Sequence, residues 1–126
     1  MTPTNTNILQ RILVIDDSPL ILQSVAKILT QAHFEVWTAD SGKAALSLIQ
    51  KRGLPHLAIV DLRMPGMDGS TVCKRLHQFS DLPIVMLTSV DEEAIVVEFL
   101  DTYAEDYIIK PFRSNELVAR VKRVLR

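Results

Sequence analysis

The strongest constraint on the fold is a run of four apolar residues, Leu57-Ala58-Ile59-Val60, that stops at the carboxylate of Asp61 and meets a Pro65-Gly66 turn soon after. A continuous apolar run of this length, bounded by turn signals, reads as a strand buried on both faces, as in a parallel sheet. Asp61 then stands at the carboxyl end of the strand, the edge at which open α/β sheets bind ligands. What else the chain delivers to that edge decides its chemistry.

Three further apolar runs share this form. Arg11-Ile12-Leu13-Val14-Ile15 ends in Asp16 and Asp17, Ile84-Val85-Met86-Leu87 in Thr88-Ser89, and the short Tyr107-Ile108-Ile109 in Lys110-Pro111. Phe34 to Ala39 alternates like a strand. Helical periodicity fills the gaps. Ser18-Pro19 opens a helix with Ile21, Val25, Ile28 and Ala32 on its buried face. Ser41 caps a second helix whose apolar positions include Ala45, Leu48 and Ile49, and Asp68 a third carrying Val72, Leu76 and Phe79. A helix is expected over about 91–102, and a last one from near Ser114 with Leu117, Val118, Val121, Val124 and Leu125 on one face. Strand and helix alternate five times, which predicts right-handed crossovers and a parallel sheet covered on both faces. Residues 1–10, rich in Thr and Asn, read as a flexible leader, and 11–126 as one domain.

Composition removes several classes of function. With 48% hydrophobic and 23% charged residues the chain is too apolar for disorder. Its net charge of −1 advertises neither a nucleic-acid groove nor an anionic membrane partner. Cys73, the single cysteine, cannot form an internal disulfide and reads as a small buried helix residue in a reducing compartment. No apolar run approaches the ~20 residues of a membrane span or forms a signal peptide, so a cytoplasmic setting is expected. Glycines at 42, 53, 66 and 69 build neither GxGxxG nor a Walker loop.

In a parallel sheet, Asp16, Asp17, Asp61, Thr88 and Lys110 share one edge. Three carboxylates crowded together repel unless a cation joins them, and oxygen-only ligands favour Mg²⁺ over zinc. A nucleophilic carboxylate with a metal, a lysine and a hydroxyl supplies what phosphoryl transfer needs. Singly, each residue has a plainer reading. Asp16 and Asp17 could start a helix, though Ser18 fills that role; Asp61 could be a turn carboxylate, Thr88 a strand-end residue and Lys110 a solvated lysine. Their joint position carries the argument. His33, His56 and His77 lack metal-ligand spacing and read as surface or core filler.

Taken together, Val14-Ile15-Asp16-Asp17-Ser18, the stretch from Asp61 to Gly69, Thr88-Ser89 and Lys110-Pro111-Phe112 make the chain resemble the CheY-like receiver domain of two-component response regulators. The resemblance implies an α/β flavodoxin-like doubly wound fold: a five-stranded parallel sheet in the order 2-1-3-4-5 with five flanking helices. It implies Asp61 as phosphoacceptor for a histidine kinase. Mg²⁺ would be held by Asp17, Asp61 and the backbone carbonyl of Arg63, with Asp16 acting through water. Thr88 and Lys110 would bind the phosphoryl group, Thr88 and Tyr107 would act as the switch, and Lys110–Pro111 would be cis. Self-catalysed phosphorylation and slow dephosphorylation follow, without conventional turnover. The tail, Lys110 to Phe112, then Glu116-Leu117, Ala119-Arg120-Val121 and Leu125-Arg126, is similar to OmpR/PhoB-type receivers. That implies a fragment of a transcription factor whose DNA-binding domain is missing, so that this domain itself does not touch DNA; a stand-alone receiver is the alternative.

Departures from the family cluster over 91–103. Val97, Leu100 and Ala104 form the expected inner face, yet Val96, Phe99 and Tyr103 make a second stripe read as facing outward. Tyr103 replaces a glycine that normally supplies a left-handed cap. Family homodimers pair this helix, the fifth strand and the last helix. Asp106, Glu116 and Arg120 match salt-bridge positions, while the basic partner of Glu116 falls on Val96 and is missing. A slightly rotated helix would bury the extra residues; the alternative expected here is a more hydrophobic dimer or partner surface. Two residues past Asp61 a dehalogenase-type phosphatase wants a second acid, where Arg63 stands. A flavodoxin-like electron carrier lacks its phosphate loop here. A phosphorylation-independent pseudo-receiver would be missing an Asp, Thr or Lys that this chain retains.

Overall fold

The computed structural model describes residues 9–89, 94, 97 and 102–126. Within them the order of elements is β1 (Arg11–Ile15), α1 (Pro19–Gln31), β2 (Glu35–Ala39), α2 (Gly42–Arg52), β3 (Leu57–Asp61), α3 (Gly69–Phe79), β4 (Ile84–Thr88), β5 (Asp106–Ile109) and α4 (Ser114–Leu125). The sheet runs β2-β1-β3-β4-β5 and every pairing is parallel. Four of the five expected helices are thus described. The predicted helix over 91–102 falls almost wholly outside the described residues, where Ala94 and Val97 are helical.

Alternation along each strand divides two cores. Leu13, Ile15, Ala58, Val60 and Met86 pack towards Ala45 and Ile49 of α2 and Val72, Cys73 and Leu76 of α3. Ile12, Val14, Ile59, Val85 and Ile108 pack towards Val25 and Leu29 of α1 and Leu117 and Val121 of α4. The central strands β3 and β4 are buried along their whole length, as their unbroken apolar runs require.

Helix starts follow their caps. Ser18 Oγ accepts from the Ile21 amide at 3.3 Å, Ser41 Oγ from Ala44 at 3.0 Å, and Asp68 Oδ1 from Thr71 at 3.0 Å. The bonds that Asp68 accepts from the Thr71 amide and then the Ser70 hydroxyl hold its carboxylate below its ordinary pKa. Each cap places its helix just after a strand's carboxyl end, the arrangement that builds the site.

Burial redraws the apolar faces of α1 and of the segment around Val97. On α1 the fully buried positions are Val25 and Leu29, with Ile21, Ile28 and Ala32 only partly covered. Of the apolar positions on α3, Val72 and Leu76 are buried while Phe79, closing the helix a turn beyond Leu76, is 57% exposed and lies at the groove with α2. Val97, expected inward, is 51% exposed, whereas Ala104 is buried as expected; Leu100 lies outside the described residues. No described helix is long and apolar enough to cross a membrane. Lys110–Pro111 is cis.

Candidate functional site

Parallel pairing aligns the strand ends, so residues far apart in sequence meet at one edge. Asp16 follows β1 and its amide donates to the Ala39 carbonyl at 3.1 Å; Asp61 ends β3; Lys110 follows β5 and its amide donates to the Thr88 carbonyl at 2.7 Å. Carboxylate oxygens of Asp16, Asp17 and Asp61 lie within 4.8 Å of one another. Lys110 Nζ donates to Asp16 Oδ2 at 3.2 Å and to Asp61 Oδ1 at 3.1 Å. One ammonium therefore bonds two of the three clustered carboxylates.

Burial differs sharply among the three acids. Asp16 is fully buried, Asp61 is 6% exposed and Asp17 faces solvent. Asp16 divides its oxygens, since Oδ1 accepts from the Ser18 amide at 2.9 Å while Oδ2 meets Lys110. It therefore serves both the helix start and the acid cluster, two roles that the sequence presents as alternatives. Burial raises the pKa of Asp61; Lys110 opposes this, and the charges of Asp16 and Asp17 reinforce it. For Lys110, burial works against the ammonium, but Asp61 and Asp16 outweigh it and raise its pKa, so the lysine stays charged.

The remaining predicted residues stand at varying distances from this cluster. Thr88 is buried at the neighbouring strand end, with its hydroxyl donating to the Ser89 carbonyl at 3.2 Å. Arg63, two residues past Asp61, is exposed, and Tyr107 is half-buried against the α2–α3 core. Gly69 comes unusually close: a Cβ there would lie 2.1 Å from the Asp61 carbonyl oxygen. The motif carries this glycine, but only the packing of α3 on β3 explains it.

Away from the edge, Asp106 is buried and paired within the chain. Arg120 Nη1 donates to its two oxygens at 3.0 and 3.1 Å, and Arg123 Nη2 donates to Oδ2. Arg120 Nε also reaches Glu116 Oε2 at 3.3 Å. The role of Arg123 has no sequence signal, because it depends on how α4 crosses β5. Tyr103, read as facing outward, is partly buried, packs against the α2–α3 core and sets its ring edge-on to His77 at 5.3 Å. Nor does it adopt a left-handed cap; His33 is the one described non-glycine residue with positive φ, at 71°. Val96 and Phe99 lie outside the described residues. His56 is more than filler, since its Nδ1 accepts from the Arg11 amide at 2.8 Å and ties β1 to the loop before β3.

Comparison with known proteins places this geometry. The model of the response regulator receiver domain matches residues 12–122. The "Probable transcriptional regulator ycf27" of Porphyra purpurea is 41% identical over 117 residues, covering 93% of this chain and 48% of its own. Heme response regulator HssR of Staphylococcus aureus (strain JH9) is 40% identical over 114 residues, covering 90% of this chain and 50% of its own. The chain thus spans about half the length of these relatives. Among solved structures, chemotaxis protein CheY4 of Vibrio cholerae superposes with a TM-score of 0.85 at 33% identity, covering 94% of this chain and all of that one. The receiver domain of NtrX from Brucella abortus gives 0.85 at 32% identity, covering 90% and 97%.

Proposed function

The chain belongs to the response regulator receiver family, and from that premise we propose that Asp61 accepts a phosphoryl group from a histidine kinase and thereby switches an output. The observation that carries this reading is the ammonium of Lys110 set between Asp61 and Asp16, 3.1 and 3.2 Å away, among three converging carboxylates.

In the proposed step an oxygen of Asp61 attacks phosphorus, the P–N bond to the kinase histidine breaks, and the imidazole leaves with its electron pair. Lys110 stays charged and moves from its two carboxylates towards the oxygens of the incoming phosphoryl group. Thr88 exchanges its bond to the Ser89 carbonyl for one to the same group. Tyr107, half-buried on β5 against the α2–α3 core, is the aromatic that answers this movement. Water then cleaves the acyl phosphate to restore Asp61.

Receivers of this family generally depend on Mg²⁺, and the donor set fits it: three carboxylates converge, two of them paired to Lys110. Asp17, Asp61 and the Arg63 carbonyl would hold the ion, with Asp16 one water away. Bound there, Mg²⁺ would neutralise the acids and screen the phosphoryl oxygens.

The named relatives are transcriptional and response regulators about twice this length, which supports a transcriptional output carried by a second domain. We place the domain in the cytoplasm with its kinase partner. Activation would favour a homodimer through the segment over 91–103, β5 and α4, drawing on Val96, Phe99, Tyr103, Glu116 and Arg120, with Asp106 first exchanging intrachain for interchain arginines.

Intact mass after incubation with acetyl phosphate and Mg²⁺ tests the central step. One added phosphoryl group, lost in Asp61→Asn and without Mg²⁺, is the expected result. Failure of both acetyl phosphate and a beryllofluoride mimic to bind would move the chain to the pseudo-receiver reading.

A further inference from the structure

The face formed by α2 and α3 carries a charge imbalance that the phosphorylation site does not use. Over the whole chain 14 Lys and Arg meet 15 Asp and Glu. Along these two helices five exposed cations, Lys43, Lys51, Arg52, Lys74 and Arg75, meet only the Asp68 cap of α3; Arg52 lies over the Trp37 ring at 5.4 Å, whereas helical spacing sets Lys43 beside Leu46 and Gln50 and Lys74 beside Gln78. Helix dipoles explain cations in a last turn, as for Lys51 and Arg52. They do not explain Lys43, Lys74 or Arg75. Between the helices runs a groove of about 450 Å³ lined by Leu46, Ile49, Gln50, Arg75, Gln78 and Phe79. Phe79 stands at its rim, 57% exposed.

From this combination we propose that the α2–α3 groove docks an acidic amphipathic helix of a partner protein. Apolar side chains of that helix would pack beside Leu46, Ile49 and Phe79, and its carboxylates would meet Arg75 and the flanking lysines. An exposed aromatic next to an arginine above an apolar floor is the composition of a binding centre rather than of a solvated face. A symmetric contact between two copies through this face would set Lys43, Lys74 and Arg75 of one copy against those of the other and is disfavoured. A head-to-tail contact with another part of a second copy would not close, and would give open chains. Nucleic acid would satisfy the cations but leave the apolar groove and Phe79 without a role. The inference stands apart from the reading of Asp61.

The test uses the whole chain and three probes followed by fluorescence anisotropy. Two are synthetic helices with the same Leu/Phe stripe, one with a Glu polar face and one with a Lys polar face; the third is a random-sequence DNA duplex. The Glu-faced helix should bind and the Lys-faced one should not. Binding should weaken at least tenfold in Arg75→Glu and in Phe79→Ser, and also between about 0.05 and about 0.5 M salt. Both substitutions are at exposed positions, so unchanged denaturation curves and Asp61 phosphorylation are expected alongside. Absence of binding by the Glu-faced helix, equal binding of both helices, or wild-type affinity in both variants overturns the proposal. Duplex binding lost in the same variants reassigns the face to nucleic acid. Self-association in sedimentation that these variants abolish reassigns it to a second copy.

Discussion

Replacing Gly69 by alanine puts one methyl group against the backbone of the proposed phosphoacceptor. The added Cβ would lie 2.1 Å from the Asp61 carbonyl oxygen, 2.8 Å from Leu62 Cα and 2.9 Å from the Asp61 carbonyl carbon, and real Cβ atoms essentially never approach within 3.0 Å of a neighbour. All three obstacles are backbone, so no side chain can swing aside. The first turn of α3 must withdraw by about 1 Å, the kind of backbone shift that costs roughly 1–3 kcal/mol. Withdrawal also stretches the bond from the Gly69 amide to the Leu62 carbonyl, now 2.9 Å. Alanine's better helix propensity returns less than about 1 kcal/mol. The net loss is about 2 kcal/mol, or roughly 6–10 °C in Tm for a domain of this size. Denaturant unfolding at constant m-value measures it. Because Asp61 shifts with its backbone, phosphorylation by acetyl phosphate at saturating Mg²⁺ should slow at least about tenfold. Gly42→Ala is the control: its Cβ meets Val72 Cγ2 at 2.6 Å and the Met67 thioether at 2.8 Å, both side-chain atoms, so its loss should be smaller. A Gly69→Ala midpoint within about 0.5 kcal/mol of the parent chain, with phosphorylation unchanged, would refute the close-packing account.

Asp61→Asn should stabilise the metal-free domain at neutral pH. The folded pKa of Asp61 lies above its ordinary 3.8, so its contribution to stability is full below that value and is lost as pH rises through the folded pKa. The gain in the Asn variant should therefore vanish in acid; denaturation curves at acid and neutral pH check this, and an equal gain at both would contradict it. Adding Mg²⁺ at ten times its dissociation constant should stabilise the chain by about 1.4 kcal/mol by mass action, and chelation should remove the whole effect. Asp106→Ala deprives Arg120 and Arg123 of their shared carboxylate. With Arg123 62% exposed and Arg120 35% exposed the guanidinium groups regain water, so the loss should be about 1–2 kcal/mol rather than that of a fully buried pair.

Sequence alone determined the sheet, its parallel sense and the residues at its carboxyl edge, because strand burial and helix capping are written in neighbours a few positions apart. The run Leu57 to Val60 needs no partner to show that it is buried, and Ser18, Ser41 and Asp68 announce their helices locally. The helix predicted over 91–102 could be read but falls outside the described residues. Tertiary structure decided everything that depends on how elements meet. Lys110 bonds to Asp61 and Asp16 across 49 and 94 positions of sequence. Asp106 pairs with two arginines of its own chain rather than standing free for another, Tyr103 turns in to His77, and Phe79 stays out at the groove rim. Periodicity assigns a residue to a face of its own element. Which side chain it then touches is set by crossing angles and loop paths, and these arise only when hydrophobic burial draws distant segments of the chain together.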